Sequence, residues 1–382
     1  MNPIFQGIGT SVFERMSLRA RATGAVNLGQ GFPDDPGPED IRKAAATAVV
    51  DGWNQYPPMM GLPELRQAVA DHYLRFQGLA LDPMSEVMVT SGATEALAGA
   101  LLALIAPGDE VVLFQPMYDA YLPLVLRAGG VPKYVRLKPP RWGFDDADLA
   151  AAFTERTRVV LFNNPLNPAA VAFGDESLRR LARFCVKFDA IALCDEVWEH
   201  VLFDGRSHRP LMAFEGMRER TVKIGSAGKI FSMTGWKVGF VCACERILHV
   251  LARAHQFITF TTPPNLQVAV AYGLAKDDAY FQAMRVGLQR SRDRLADGLD
   301  AIGWRPLPSE GTYFLNVDVS DLCDDDQEFC DRLVERFGVA AIPVSAFYAA
   351  DPVRTAIRLC FAKRDATLDG ALERLARVRP ST

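Results

Sequence analysis

The sequence predicts an α/β protein with a mainly parallel sheet, divided into a large and a smaller domain. Three observations carry that prediction. Short β-rich runs alternate with longer helical stretches, as chains that form parallel α/β sheets do. Several of the short runs are apolar without interruption, the pattern of strands buried on both faces. The chain has 382 residues, more than one core usually accommodates.

In chain order, the first forty residues, rich in Gly and Pro between Gly29 and Pro38, read as an irregular arm draped across both domains. The clearest unit follows. Glu86 to Thr90 reads as a strand, Ser91-Gly92-Ala93-Thr94 as a turn, and an Ala/Leu-rich helix runs to about Ala106, where Pro107-Gly108 stops it. Glu110 to Phe114 is the next strand, and Val159 to Phe162, Ile191 to Cys194, Thr221 to Gly225 and Val238 to Cys242 fit the same sheet. After about Gln282 an Arg-rich helical stretch leads to two strand-like runs, Gly311 to Val317 and Ala356 to Phe361, and to a final helix after Asp365. The resulting division is 1–45 for the arm and part of the small domain, 46–282 for the large domain, and 283–382 for the small C-terminal domain.

Composition narrows the function. The net charge of -4 and the absence of a dense Lys/Arg stripe argue against nucleic-acid binding. No apolar run reaches the roughly 18 residues of a membrane span, and Met1 to Thr10 does not read as a signal peptide, so a cytoplasmic protein is expected. Seven cysteines without a CxxC pair argue against a disulfide framework and a zinc ribbon, and no metal is expected. Cys242 and Cys244 read as packing residues on one face of a strand. No GxGxxG opens a helix with an acidic residue about twenty positions later, which disfavours a nicotinamide enzyme.

Residues with chemical potential fall just beyond the strand ends. The turn Ser91-Gly92-Ala93-Thr94 presents free helix-terminal amides suited to a phosphate, or is a generic capped turn. Gly225-Ser226-Ala227-Gly228-Lys229 places a lysine among small residues that a flat ring can approach closely. Such a lysine can form an imine with an aldehyde and, once freed, shuttle a proton between carbon atoms. Ser226 and Lys237 are candidates to hold a phosphate. Asp195, at the carboxyl end of a buried strand, either holds a pyridine nitrogen protonated or caps its turn. Glu196 and Glu199 read as solvated. Asn167, in Asn163-Asn164-Pro165-Leu166-Asn167-Pro168, either donates to a phenolate oxygen or serves the turn. Arg358, within an apolar strand, must meet an anion, either a substrate carboxylate or an internal Asp or Glu.

These segments, from about Val12 to Leu375, resemble the fold-type I, class I/II aminotransferases that use pyridoxal phosphate (PLP). Within that superfamily, Val26-Asn27-Leu28-Gly29-Gln30-Gly31-Phe32-Pro33-Asp34, Gly225 to Lys229, Glu310-Gly311-Thr312-Tyr313-Phe314 and Ile342 to Tyr348 are similar to the kynurenine/glutamine/methionine branch. The resemblance implies a mainly parallel seven-stranded sheet flanked by helices, a smaller α+β domain, and a homodimer with shared active sites. It implies that Lys229 carries the cofactor as an imine, Asp195 pairs with the pyridine nitrogen, Asn167 binds the ring hydroxyl, and Tyr118 stacks on the ring. Gly92, Ala93, Thr94, Ser226 and Lys237 then hold the phosphate, with Tyr56 reaching over from the second subunit. Arg358 clamps the substrate α-carboxylate, helped by Asn167 and Gly31.

Two departures stand out. The family usually has tyrosine three residues after the aspartate, whereas this chain has Trp198, which can donate through its indole nitrogen but cannot ionise. That either swaps one donor for another or shifts the imine pKa. Kynurenine-preferring members tend to carry an aromatic residue in the phosphate turn, where this chain has Thr94. The expected reaction is a two-stage transfer of the amino group of an L-amino acid to a 2-oxo acid. The side chains expected are neutral, aromatic or sulfur-containing, because Phe13, Tyr56 and Phe347 are apolar liners and no second arginine beyond Arg15 or Arg19 offers itself. A PLP-dependent carbon-sulfur β-lyase is the alternative, and a PLP-sensing regulatory module a weaker one.

Overall fold

In a computed structural model, which describes residues 1–378, the large sheet has seven strands. They are β1 (Val87–Thr90), β2 (Glu110–Gln115), β3 (Val131–Arg136), β4 (Thr157–Asn163), β5 (Ile191–Asp195), β6 (Thr221–Ser226) and β7 (Gly239–Cys242). Their order is β1-β7-β6-β5-β4-β2-β3, and only β7 runs antiparallel to its neighbours. The expected α/β fold with a mainly parallel sheet is therefore observed.

Uninterrupted apolar runs form these strands because both faces are covered. In β2, Val111 and Leu113 belong to one core with Leu97 and Leu101 of helix Ala93–Leu104 and with Leu248 and Leu251 of helix Glu245–Ile258. Val112 and Phe114, between them in sequence, pack on the other side with Leu178, Leu181 and Cys185 of helix Asp175–Lys187. That helix buries Leu178, Leu181, Ala182 and Cys185, an i, i+3, i+4, i+7 stripe.

A four-stranded antiparallel sheet joins Arg305–Pro306, Phe314–Asp318, Ala356–Cys360 and Ile342–Pro343, in the order Ile342–Pro343, Ala356–Cys360, Phe314–Asp318, Arg305–Pro306. The N-terminal arm is more regular than its composition suggests. Ser11 caps helix Val12–Thr23, and Val26–Asn27 pairs in parallel with Val339–Ala340. The long helix Asp278–Ala301 begins before Gln282. The β7 strand ends at Cys242, so Cys244 caps the next helix; Cys242 and Cys244 pack into different cores rather than on one strand face.

Glu196 and Glu199 are not solvated. They are buried, and the ammonium of Lys223, in the middle of β6, lies 2.5 Å from Glu196 Oε2 and 2.7 Å from Glu199 Oε2. His208 meets Glu196 at 2.9 Å, and the Tyr73 hydroxyl donates to Glu199 at 3.1 Å. Burial would raise the Glu196 carboxyl, but Lys223 and His208 outweigh it and hold it at about 2. This network anchors the segment directly after Asp195.

Candidate active site

Because β1, β2, β4, β5 and β6 run the same way, their carboxyl ends lie along one edge of the sheet, where ligands bind in open α/β folds. β1 passes through Ser91 and Gly92 into helix Ala93–Leu104. Gly92 has φ +80°, and a Cβ there would stand 3.1 Å from Lys237 Cε, so only glycine lets this turn close onto Lys237. The Ala93 and Thr94 amides, in the first turn of the helix, have no acceptor within it. Glu95 braces the turn from behind: one carboxylate oxygen accepts the Ser91 amide at 3.0 Å, and the other meets His255 Nδ1 at 3.0 Å.

β6 delivers Ser226 and, one short helix later, Lys229; β5 delivers Asp195; β4 delivers Asn163. These ends enclose a cavity of about 340 Å³. Of the residues expected from the sequence, Gly31, Gly92, Ala93, Thr94, Tyr118, Asn167, Asp195, Trp198, Ser226, Lys229, Lys237 and Arg358 line it. Phe347 and Tyr56 do not. Phe347 is buried behind Arg358, with its ring 5.1 Å from the guanidinium carbon. Tyr56 is 82% exposed and packs edge-on against Phe260.

Several lining or supporting residues escaped the sequence reading. The Tyr121 hydroxyl donates to Asp195 Oδ2 at 2.6 Å. Asn163 donates to the Asp195 carbonyl at 2.7 Å and accepts the Asn167 amide at 2.7 Å, tying two strand ends together. Gln30, Thr234 and Phe314 also line the cavity. Tyr121 opens the helix Tyr121–Arg127 and packs edge-on against Tyr118 at 5.6 Å.

The electrostatics are those of a dry, polar pocket. Burial pushes the Asp195 carboxyl up, opposed by the Tyr121 hydroxyl, the Val197 amide and Lys229. Burial pushes the Lys229 ammonium down to about 8; Cys360 and Asp195 act against the shift, Arg358 and Lys237 with it. Arg358 donates to Asn167 Oδ1 at 2.8 Å and to the Gly29 carbonyl at 2.9 Å, and its guanidinium carbon lies 3.7 Å from the centre of the Phe314 ring. Among the described residues no carboxylate lies within 4.0 Å of it, and its Nε has no partner. Burial draws its pKa down to about 9. The internal ion pair considered for Arg358 is therefore absent from the described residues, and the guanidinium is free to receive an anion from the cavity. Arg19 pairs instead with Asp331, and neither Arg15 nor Arg19 lines the cavity.

The arrangement thus combines an anion cradle, a buried carboxylate, a lysine whose pKa burial draws toward neutrality, and an arginine with no carboxylate partner among the described residues. No helix among the described residues is long and apolar enough to cross a membrane.

Comparison with known proteins identifies a family. The family model for aminotransferase class I and II matches residues 23–375. The chain is 44% identical, over 98% of both chains, to a probable N-succinyldiaminopimelate aminotransferase of Mycobacterium tuberculosis. A solved structure of N-succinyldiaminopimelate aminotransferase from that organism superimposes with a TM-score of 0.96, at 43% identity, over 98% of this chain and 99% of the other. The chain is also 41% identical to methionine aminotransferase of Escherichia coli, over 96% of both chains. It is 36% identical to human kynurenine–oxoglutarate transaminase 1, over 92% of this chain and 91% of the relative.

Proposed function

The chain belongs to the class I and II aminotransferases, and from that premise we propose that it moves the amino group of a neutral, aromatic or sulfur-containing L-amino acid to a 2-oxo acid by a ping-pong mechanism. The observation that carries the reading is the convergence of Lys229, Asp195, Ser226, Lys237 and a carboxylate-free Arg358 on one cavity.

The residues fit pyridoxal phosphate. The Ala93 and Thr94 amides, the Ser226 hydroxyl and the Lys237 ammonium match a phosphate dianion, and a Cβ on Gly239 would come within 2.9 Å of the Ala93 nitrogen, so the cradle tolerates no bulk there. On this reading Asp195, buried in the cavity wall, keeps a pyridine nitrogen protonated, and Tyr118 covers a ring face. Asn167 commits its carbonyl to Arg358 and so keeps its amide N–H groups for the ring hydroxyl. When bound, the cofactor supplies an electron sink for the substrate α-carbon.

The chain's own groups do the rest. Arg358, held by Asn167 and the Gly29 carbonyl, receives the α-carboxylate and fixes the α-carbon relative to Lys229. Lys229 Nζ, with a pKa drawn to about 8, is suited to take the α-proton as base and return it as acid at neutral pH. Arg358→Gln is expected to raise KM for the amino acid by about 10²-fold, the loss of two charge-assisted hydrogen bonds, with a smaller change in kcat. Steady-state kinetics on the wild type and this variant checks it.

The reading includes a homodimer with shared sites, a cytoplasmic setting suited to seven unpaired cysteines, and the division 1–45, 46–282 and 283–382. Support for the dimer is the exposure of three large aromatics, Trp53, Tyr56 and Phe257, at 77%, 82% and 85%. Tyr56→Phe should weaken cofactor binding about tenfold, one hydrogen bond to a phosphate, in a PLP titration of the apoenzyme. An unchanged affinity removes Tyr56 from the site.

Initial rates over a grid of amino-acid and oxo-acid concentrations test the function. Parallel double-reciprocal lines are expected. Pyruvate and ammonia released from a cysteine conjugate without an acceptor would mark the carbon-sulfur lyase instead.

A further inference from the structure

Trp198 stands where the resembling enzymes usually have tyrosine, and the reading above gives it no step. It is 2% exposed, and Lys229 Nζ lies 4.5 Å from the centre of its ring. Tyr313 packs edge-on against the indole at 4.6 Å, and Phe314 at 5.7 Å. The Tyr313 hydroxyl also donates to the Lys229 carbonyl at 2.8 Å. One tyrosine therefore fixes both the main chain of Lys229 and the ring on which its side-chain tip rests.

An aromatic face attracts a cation through its quadrupole and has little hold on a neutral amine, and indole provides the strongest such face among side chains. Because indole does not ionise, the attraction persists across the working pH range. The other groups acting on Lys229 are Cys360 and Asp195, which favour its charged form, and Arg358 and Lys237, which oppose it. The indole, which carries no charge, lies against the nitrogen itself, with Nζ 4.5 Å from the ring centre.

We propose that Trp198 is a positioning residue that holds the reacting nitrogen of Lys229 over its ring face and favours its protonated form against the burial that opposes it. This rests on the reading of Lys229 as the cofactor-bearing lysine. The chain thereby replaces a titratable phenol with a fixed π-surface.

The test is a pH titration of the visible absorption band of the holoenzyme, for the wild type, Trp198→Phe and Trp198→Leu. The titration midpoint is expected to fall by about half a unit to one and a half units in Trp198→Leu, and by less in Trp198→Phe. A role in packing alone leaves the midpoint where it is. Unshifted midpoints in both variants overturn the proposal, as does a rise in either. Should Trp198→Leu fail to fold, Trp198→Phe decides: a fall supports the proposal and an unchanged midpoint overturns it. Absence of any visible band in the wild type with added PLP overturns the cofactor reading itself, an outcome distinct from an intact band with an unmoved midpoint.

Discussion

Lys229→Ala is expected to lower single-turnover transamination by roughly 10⁴-fold or more, because one nitrogen serves both as covalent anchor and as proton shuttle. The fold should survive, since Lys229 makes no ion pair among the described residues and the phosphate cradle of Ala93, Thr94, Ser226 and Lys237 is untouched. The variant should accordingly still bind PLP by equilibrium dialysis while losing the lysine-dependent visible band. Normal turnover in this variant would remove Lys229 from the chemistry.

The second large effect lies outside the cavity. Lys223 Nζ is the cation between two buried carboxylates, and Lys223→Met leaves Glu196 and Glu199 facing each other without it. Breaking a buried pair by removing one partner costs about 3–5 kcal/mol, and the loss should appear in denaturant unfolding at pH 7. Its pH dependence has a definite sign. In the wild type, Glu196 is depressed from 4.5 to about 2, so its contribution is present at neutral pH and is lost progressively as the pH falls between those two values. Without Lys223, only His208 is left to oppose burial at Glu196, and the folded-state pKa of that carboxyl is expected to rise above the unfolded value. The variant then gains relative stability as protons bind, and the gap to the wild type narrows from pH 7 toward pH 5. A gap that stays constant over that range contradicts the assignment of the network. Since Glu196 follows Asp195 directly, the same variant should weaken cofactor binding.

How much of this was legible in the sequence follows from what each signal reports. The strands buried on both faces, such as Val111 to Phe114 and Leu193 to Cys194, announce themselves as unbroken apolar runs. The edge strand Val131–Arg136 does not: it is half-exposed, contains Pro132, Lys133 and Arg136, and lacks the run that marks its neighbours. The site residues that lie at strand ends were found for the same reason the strands were, because the parallel sheet sends those ends to one edge. Tyr121 and Glu95 were missed because they act through other side chains across 74 and 160 positions, a relation no local pattern encodes. Glu196 and Glu199 were misread as solvated because charge alone suggests water. Their partner Lys223 sits inside the apolar run of β6, 27 and 24 residues away, and only the sheet brings them together. The arm was read as irregular because Gly and Pro dominate residues 29–38, while the capped helix Val12–Thr23 precedes that stretch.

The most direct test of the central claim is a single half-reaction on purified wild-type protein with bound PLP, given L-methionine and no oxo acid. The account predicts loss of the visible lysine-bound band, with formation of about one equivalent of 2-oxo acid per active site and no free ammonia. Failure to acquire a visible band after PLP is added, or continued release of oxo acid and ammonia beyond one equivalent, would contradict it.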